Sequence, residues 1–279
     1  MVTNLDQIKV SGEDGKAPKV EGAWPLAIAK TESKILKEGT GEKVDKNATL
    51  KVNYVGVNGR TGKEFDSSYK RGTTADFPLA QVVPGFAKGL VGKHQGDRVL
   101  IMMPGSDGYD SQAGAPQAGI MKGDSLIFVV DIVAIPLPKA TGETVKPAAG
   151  LPTVKEVQGA PAVTIGKATK PNKLVVQPLI KGKGAAVTAH DSIDVKYRTY
   201  AWSSGELIED GYSGEPVTGS MNSVIPGWKK GLIGQTVGSR VMLIVPPADA
   251  YPNGSTNPPV KKGETLIYVI DILSAQKES

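Results

Sequence analysis

Cysteine is absent from the 279 residues, which rules out disulfide stapling and thiol chemistry and leaves the redox compartment open. Histidine is almost absent as well: His94 and His190 lie far apart, so a histidine metal centre is not expected. Charge of one sign is missing too. With 33 basic and 28 acidic residues interspersed, the formal charge of +5 describes a solvated surface and gives no reason to expect nucleic acid as a partner. The longest apolar runs, at 126–135 and 266–273, are each broken by an aspartate and are too short for a transmembrane segment. Aromatic residues make up only 5% of the chain, so the positions they occupy carry information.

What is present is a repeat. Val82-Val83-Pro84-Gly85-Phe86-Ala87-Lys88-Gly89-Leu90-Val91-Gly92 matches Val224-Ile225-Pro226-Gly227-Trp228-Lys229-Lys230-Gly231-Leu232-Ile233-Gly234 position for position. Proline presets φ for a first helical turn and the last glycine suits a left-handed cap, so each copy predicts one short helix. Phe86 and Leu90, like Trp228 and Leu232, are four apart and share an apolar face. A helix of two turns needs a sheet to pack on. The repeat extends outward: Val52-Asn53-Tyr54 matches Val195-Lys196-Tyr197 (197 − 54 = 143), and Leu126 to Asp131 matches Leu266 to Asp271 (266 − 126 = 140). Small loop deletions on a duplicated domain produce such a drift.

Four segments follow from this. Residues 1–21 are polar and Gly-rich and predict a flexible lead-in; 22–137 form the first domain; 138–171 are a Pro/Gly/Ala-rich linker and second lead-in; 172–279 form the second domain. Strands are expected around Leu50–Tyr54, Asp97–Pro104 and Ser125–Ile135, with a long loop from Gly105 to Gly123 of the kind that carries function. Three apparent motifs fail. Ser67-Ser68-Tyr69-Lys70 has the Ser-x-x-Lys spacing of acyl-enzymes but none of their other elements, and reads as a turn. Glu64 stands where a phosphate loop beginning at Gly59 would need Ser or Thr, and Asp107-Gly108-Tyr109-Asp110 lacks the ligand alternation of a calcium loop.

The remaining signal is a set of aromatic and acidic residues: Tyr54, Phe65, Asp66, Phe86, Tyr109 and Phe128. A packed core would account for the rings. Asp66 beside an apolar residue, and Tyr109 within a glycine-rich loop, fit instead an apolar cup with polar groups at its rim, the form of a small-molecule or peptide pocket. Val-x-Tyr, Gly-x-x-Phe-Asp-Ser, Val-Val/Ile-Pro-Gly-aromatic-x-x-Gly-Leu, Pro followed five residues later by Tyr, and Leu-Ile-aromatic-x-Val-Asp occur in one order in the first half and recur in the second, where Ile208-Glu209-Asp210 stands for Phe-Asp-Ser and Ile270 for the last Val. In this the chain resembles the FKBP-type peptidyl-prolyl cis/trans isomerases over roughly residues 48–135 and 191–273.

The resemblance implies an α+β fold, twice over: an antiparallel sheet of about five strands curled around one short helix. It implies a first site made of Tyr54, Phe65, Asp66, Val82, Val83, Phe86, Tyr109, Ile120 and Phe128. The second would be Tyr197, Ile208, Glu209, Val224, Ile225, Trp228, Tyr251, Val260 and Tyr268. Phe86 replaces the usual floor tryptophan, and Ala75 stands where a further wall aromatic is common, so a wider first pocket is expected. In the second domain Ile208-Glu209 replaces the Phe-Asp pair and Val217 the wall aromatic, which predicts a degenerate site. Rotation about an Xaa-Pro bond breaks no bond, so neither cofactor nor metal is expected. The expected partners are proline-containing polypeptides and macrolides such as tacrolimus or rapamycin, with the chain a monomer and a folding helper. The alternative is a non-catalytic binding module with chaperone-like holding. The lead-ins resemble those of secreted or lipid-anchored actinobacterial members, so an extracellular or surface location is expected, with Met1 replacing a leader; a cytoplasmic location is the alternative.

Overall fold

The computed structural model describes residues 4–277. The chain divides into two compact units that meet at Pro136 and Leu137. In the first unit the order is β1 (Lys9–Ser11), β2 (Lys19–Glu21), β3 (Glu32–Lys37), β4 (Thr49–Asn58), β5 (Glu64–Ser67), α1 (Ser68–Arg71), β6 (Ala75–Pro78), α2 (Pro84–Leu90), β7 (Arg98–Met103), β8 (Gly114–Ala115), β9 (Ile120–Met121) and β10 (Leu126–Ala134). In the second it is β11 (Glu143–Thr144), β12 (Thr153–Val157), β13 (Ala160–Thr164), β14 (Val175–Lys181), β15 (Asp191–Ala201), β16 (Leu207–Asp210), β17 (Val217–Ser220), α3 (Pro226–Leu232), β18 (Arg240–Val245) and β19 (Leu266–Lys277). The main sheets are antiparallel, ordered β3-β7-β10-β4-β5 and β11-β14-β18-β19-β15-β16, with β6 added to β4 and β17 to β15. The α+β architecture of a sheet with one short helix is therefore present twice.

Each helix is where proline and glycine predict it, and Gly92 and Gly234 just beyond take φ of 83° and 85°. The two glycines inside each helix have a packing reason. A Cβ on Gly85 would come 2.4 Å from the Met103 sulfur, and one on Gly89 would come 2.7 Å from Ile101 Cδ1. The helix thus lies close enough to β7 for Phe86 and Leu90 to be buried on the sheet.

The central strands are apolar on both faces because both are covered. Val99, Ile101 and Met103 of β7 and Phe128, Val130 and Ile132 of β10 face the helix. The alternate residues Leu100, Met102, Ile127 and Val129 face outward, where they pack against Leu5, Ile8, Leu26 and Ile28. This corrects the expectation of a flexible lead-in over 1–21. From Asn4 onward the stretch is a 3₁₀ turn and a hairpin, β1 with β2, that covers the outer face; residues 1–3 lie outside the described residues. The linker expected over 138–171 is likewise built into the second unit. The β12–β13 hairpin places Val154 and Val163, together with Leu151 and Ile165, against Met242, Ile244, Ile267 and Val269 on the outer face of the second sheet. Leu137 N–H donates to the Leu273 carbonyl, and Ala140 N–H donates to the Asp271 carboxylate at 3.1 Å. The isolated valines of Lys9-Val10-Ser11 and Lys19-Val20-Glu21 alternate over too few residues to read as strands before their partner face is known.

One ion pair recurs at the same register. Arg98 faces Asp131 across β7 and β10, and Arg240 faces Asp271 across β18 and β19. The guanidinium Nε lies 2.6 Å from a carboxylate oxygen in both, and the Asp271 side chain is only 1% exposed. Tyr69 donates its hydroxyl to Asp131 in the first unit, whereas Tyr212 in the second has the guanidinium groups of Arg198 and Arg240 each 6.0 Å from its ring. Among the described residues no helix is long and apolar enough to cross a membrane.

Two stability outcomes follow. Ile8→Ala removes a buried side chain from the outer face and is expected to cost about 2–5 kcal/mol in urea unfolding of the first unit; a loss within experimental error would show that the lead-in does not hold the sheet. Asp271→Asn leaves Arg240 buried with only the exposed Glu156 carboxylate, 3.4 Å away, as counter-charge and is expected to cost about 3 kcal/mol in the second unit.

Candidate functional site

The helix crosses the inner face of the first sheet and leaves beside it a cavity of about 250 Å³. Its floor and walls are rings. Phe86 lies 4.6 Å from both Phe77 and Phe128, centroid to centroid, and Phe65 meets Phe128 edge to face at 5.6 Å. Tyr54, on β4, packs 5.3 Å from Phe77 and 6.1 Å from Phe128. Gly56 is what admits two of these rings: a Cβ there would lie 2.8 Å from Phe65 Cζ and 2.9 Å from Phe128 Cε1.

The polar rim is a connected group. Tyr54 donates its hydroxyl to Asp66, Arg71 forms an ion pair with Asp66, and an Arg71 N–H donates to the Tyr54 hydroxyl oxygen at 3.0 Å. The Arg71 guanidinium also stands 5.5 Å from the Tyr54 ring centroid. Arg71 is the last residue of α1, a single turn whose N-cap is Ser67, accepting from the Lys70 N–H. The Ser-x-x-Lys spacing is thus a capped turn that carries an arginine to the rim. Burial, followed by the hydrogen bond to Asp66, pushes the Tyr54 phenol up to about 12, with Arg71 opposing the shift. Tyr109 is raised by burial and then by the charge of Asp66. At the mouth, the Val83 amide precedes the helix and makes no hydrogen bond among the described residues.

Of the residues expected in the first site, Tyr54, Phe65, Asp66, Val82, Val83, Phe86, Tyr109 and Phe128 line this cavity. Ile120 does not: it is buried in the same cluster, in the small β8–β9 pair behind Tyr109 in the chain. The sequence reading missed Phe77, Gln81 and Arg71. Phe77 corrects the expectation of a wider pocket, because a ring two residues beyond Ala75 supplies the wall that Ala75 lacks. The spacing Ala75-Asp76-Phe77 on an alternating strand was the available signal, since 75 and 77 share a face.

The second unit gathers its expected residues around Trp228: Tyr197, Ile208, Val224, Ile225, Tyr251, Val260 and Tyr268 all join one cluster. Five replacements change its chemistry. By strand register, Gly219 stands where the first unit has Phe77, and Thr199 stands where it has Gly56. Ile208 takes the place of Phe65, and the Thr199 side chain accompanies that smaller neighbour. Glu209 is engaged differently from Asp66: Thr199 Oγ1 donates to it at 2.9 Å, and the Tyr197 hydroxyl is further away at 3.3 Å. The position matching Arg71 is Gly214 (71 + 143), and no ion pair reaches Glu209 among the described residues. Trp228 meets Tyr197 at 5.1 Å and 86°, and Tyr268 at 5.4 Å and 90°, and its buried indole N–H has no acceptor among the described residues.

A short helix laid over an antiparallel sheet, beside an aromatic cup with one rim carboxylate and with no metal-ligand cluster among the described residues, has the form of a pocket for an apolar ring. Comparison with known proteins specifies the class. The FKBP-type peptidyl-prolyl cis-trans isomerase model matches residues 40–133 and 183–273, and the chain belongs to that family, with two domains in tandem. It is 32% identical over 117 residues to a probable FK506-binding protein of Corynebacterium glutamicum, covering 41% of this chain and 98% of that protein. With an FK506-binding protein of Streptomyces anulatus it is 40% identical over 100 residues, 35% of this chain and 80% of the other. The isomerase FkpA of Escherichia coli K12 is 36% identical over 107 residues, which is 38% of each chain. Among solved structures, the three FKBP domains of wheat FKBP73 align over 88% of this chain and 94% of that one, at 18% identity and a TM-score of 0.37.

The titration of Tyr54 is testable. A phenol whose folded-state value is raised from 10.0 to about 12 contributes stability that is full below pH 10 and is lost as pH rises through about 12. Unfolding titrations across that window are expected to show a smaller loss for Tyr54→Phe than for the unsubstituted chain.

Proposed function

We propose that the first unit carries the peptidyl-prolyl isomerase activity of the chain and that the second binds polypeptide without comparable turnover. The observation that supports this division is the Tyr54-Asp66-Arg71 group beside five aromatic side chains in the first unit, against Tyr197-Glu209-Thr199 with no guanidinium in the second. Amide resonance sets a barrier of about 18–20 kcal/mol to rotation about an Xaa-Pro bond. The catalyst has only to bind the twisted amide better than either planar form. In the twisted amide the nitrogen lone pair no longer conjugates with the carbonyl, and the group is less polar. An aromatic cup that takes the prolyl ring out of water favours that state relative to the planar ones.

Phe86 and Phe128 hold the ring, with Phe77 and Phe65 as walls. The free Val83 amide is placed to donate to a carbonyl next to the proline, and Tyr109 to a second one. Asp66 acts by position: it accepts from Tyr54 and pairs with Arg71, which keeps the rim rigid, and it transfers no proton. The same cup would seat a macrolide such as tacrolimus or rapamycin, which would then compete with a peptide; relatives named for FK506 binding support this reading.

Exchange NMR on an Ala-Leu-Pro-Phe peptide with the full chain tests the assignment. Asp66→Ala is expected to lower the catalysed rate by about tenfold, or about 1.4 kcal/mol of transition-state stabilisation. The double variant Asp66→Ala with Phe86→Ala is expected to bring it to the uncatalysed background. A double variant that keeps more than half the rate would move catalysis to the second unit.

A further inference from the structure

The two copies differ at positions that face the cavity, and the differences have one direction. In passing from the first site to the second, the phenyl rings of Phe77 and Phe65 give way to Gly219 and Ile208, and Phe128 becomes Tyr268, which adds a phenol. The rings that remain gather around Trp228. Trp228 stands nearly perpendicular to both Tyr197 (5.1 Å, 86°) and Tyr268 (5.4 Å, 90°), and Tyr251 comes from the loop as Tyr109 does. The rim charge changes as well: Asp66 is neutralised by Arg71, whereas Glu209 has Gly214 at the matching position and, among the described residues, accepts only from Thr199 and Tyr197.

We propose that the second site recognises a basic side chain of a polypeptide, lysine or arginine, in place of a prolyl ring. Electron-rich faces of Trp and Tyr attract a cation, and Trp does so best. The aliphatic stem of such a side chain covers the ring surface while its head reaches a carboxylate. Tyr197 joins the two halves of the site, since its ring packs on Trp228 and its hydroxyl donates to Glu209. The groups that act on Tyr197, Tyr251 and Tyr268 are of one kind: after burial, each is raised by Glu209 or by another tyrosine, and no cation lowers any of them, in contrast to Tyr54 beside Arg71. In the first unit Arg71 already supplies the cation beside the rim carboxylate, whereas in the second an ammonium or guanidinium group of the ligand takes that place beside Glu209. Arg198 does not satisfy Glu209, because it follows Tyr197 in β15, points to the other face and pairs there with Asp210 at 2.7 Å.

The proposal rests on the reading of the second unit as a binder, and its test is independent of the exchange assay. The chain has three tryptophans, so the ¹H–¹⁵N spectrum of the full chain shows three indole signals, and the one lost in Trp228→Phe is the reporter. Three blocked tripeptides are titrated: acetyl-Ala-Lys-Ala-amide, its norleucine isostere and its proline analogue. The lysine peptide is expected to shift the Trp228 signal saturably, with the norleucine and proline peptides binding at least roughly tenfold more weakly. Glu209→Gln is expected to weaken the lysine peptide by roughly tenfold and to remove its advantage over norleucine; unchanged Trp24 and Trp202 signals verify that both units of the variant are folded. Equal shifts from lysine and norleucine, stronger binding of the proline peptide, no shift from any of them, or a Glu209→Gln titration identical to that of the unsubstituted chain would each overturn the proposal. None of these results would touch the first-unit assignment, which stands or falls on Asp66 and Phe86.

Discussion

The strands at the middle of each sheet, β7 with β10 and β18 with β19, have apolar side chains on both faces, and neither face can be left to water. The rest of the architecture answers that constraint. A two-turn helix is too short to cover the inner face of a sheet this wide, so part of that face stays open as the aromatic cavity. The outer face is closed by whatever precedes the sheet in the chain: a hairpin and Leu26–Ile28 in one unit, a hairpin and Leu151 in the other. The site is therefore the portion of the inner face that the helix leaves uncovered. Its aromatic character follows from the same need, since large rings are the side chains that can fill and line such a gap at once.

Much of the site was legible because it lies in the regular parts of the chain. Tyr54 on an alternating strand, Phe86 four residues before Leu90, and Phe128 in a long apolar run are fixed by periodicity and by their recurrence one repeat later. The residues that escaped notice reach the cavity by routes without a period. Arg71 arrives at the end of a single helical turn, and Gln81 comes from the turn before α2. Phe77 lies on a four-residue edge strand, too short for its alternation with Ala75 to mark a face. The lead-ins were misread for a different reason. Their valines and leucines are sparse and flanked by charge, and only the complementary outer face of the sheet shows that they are buried. Composition describes such a segment as polar, while its stability depends on a few residues spaced to meet a surface built by strands much further along.

Duplication allows the chain to vary one site while it keeps the other. The frame is held constant: the Arg–Asp pair across the central strands, the two glycines that let the helix approach, the glycine that ends it. Substitutions among the positions that face the cavity compensate one another in volume. Gly56 admits Phe65, and where the second unit has Ile208 the matching glycine has become Thr199, whose hydroxyl also occupies Glu209. A larger Trp228 accompanies the loss of the ring at 219. Changes matched in this way preserve packing density while altering which chemical groups face the ligand.

The order of strands has a consequence for how the chain is made. In both units a strand near the centre of the sheet is the last to be synthesised: β10 pairs with β4 and β7, and β19 with β15 and β18. No unit can close before its final strand has left the ribosome. The first unit has all its strands once residue 134 emerges, before any strand of the second has left the ribosome. Two nearly interchangeable sheets in one polypeptide would otherwise invite a strand of one to insert into the other. Sequential emergence separates them in time, so a refolding reaction that starts from the whole denatured chain has a mispairing hazard that synthesis avoids.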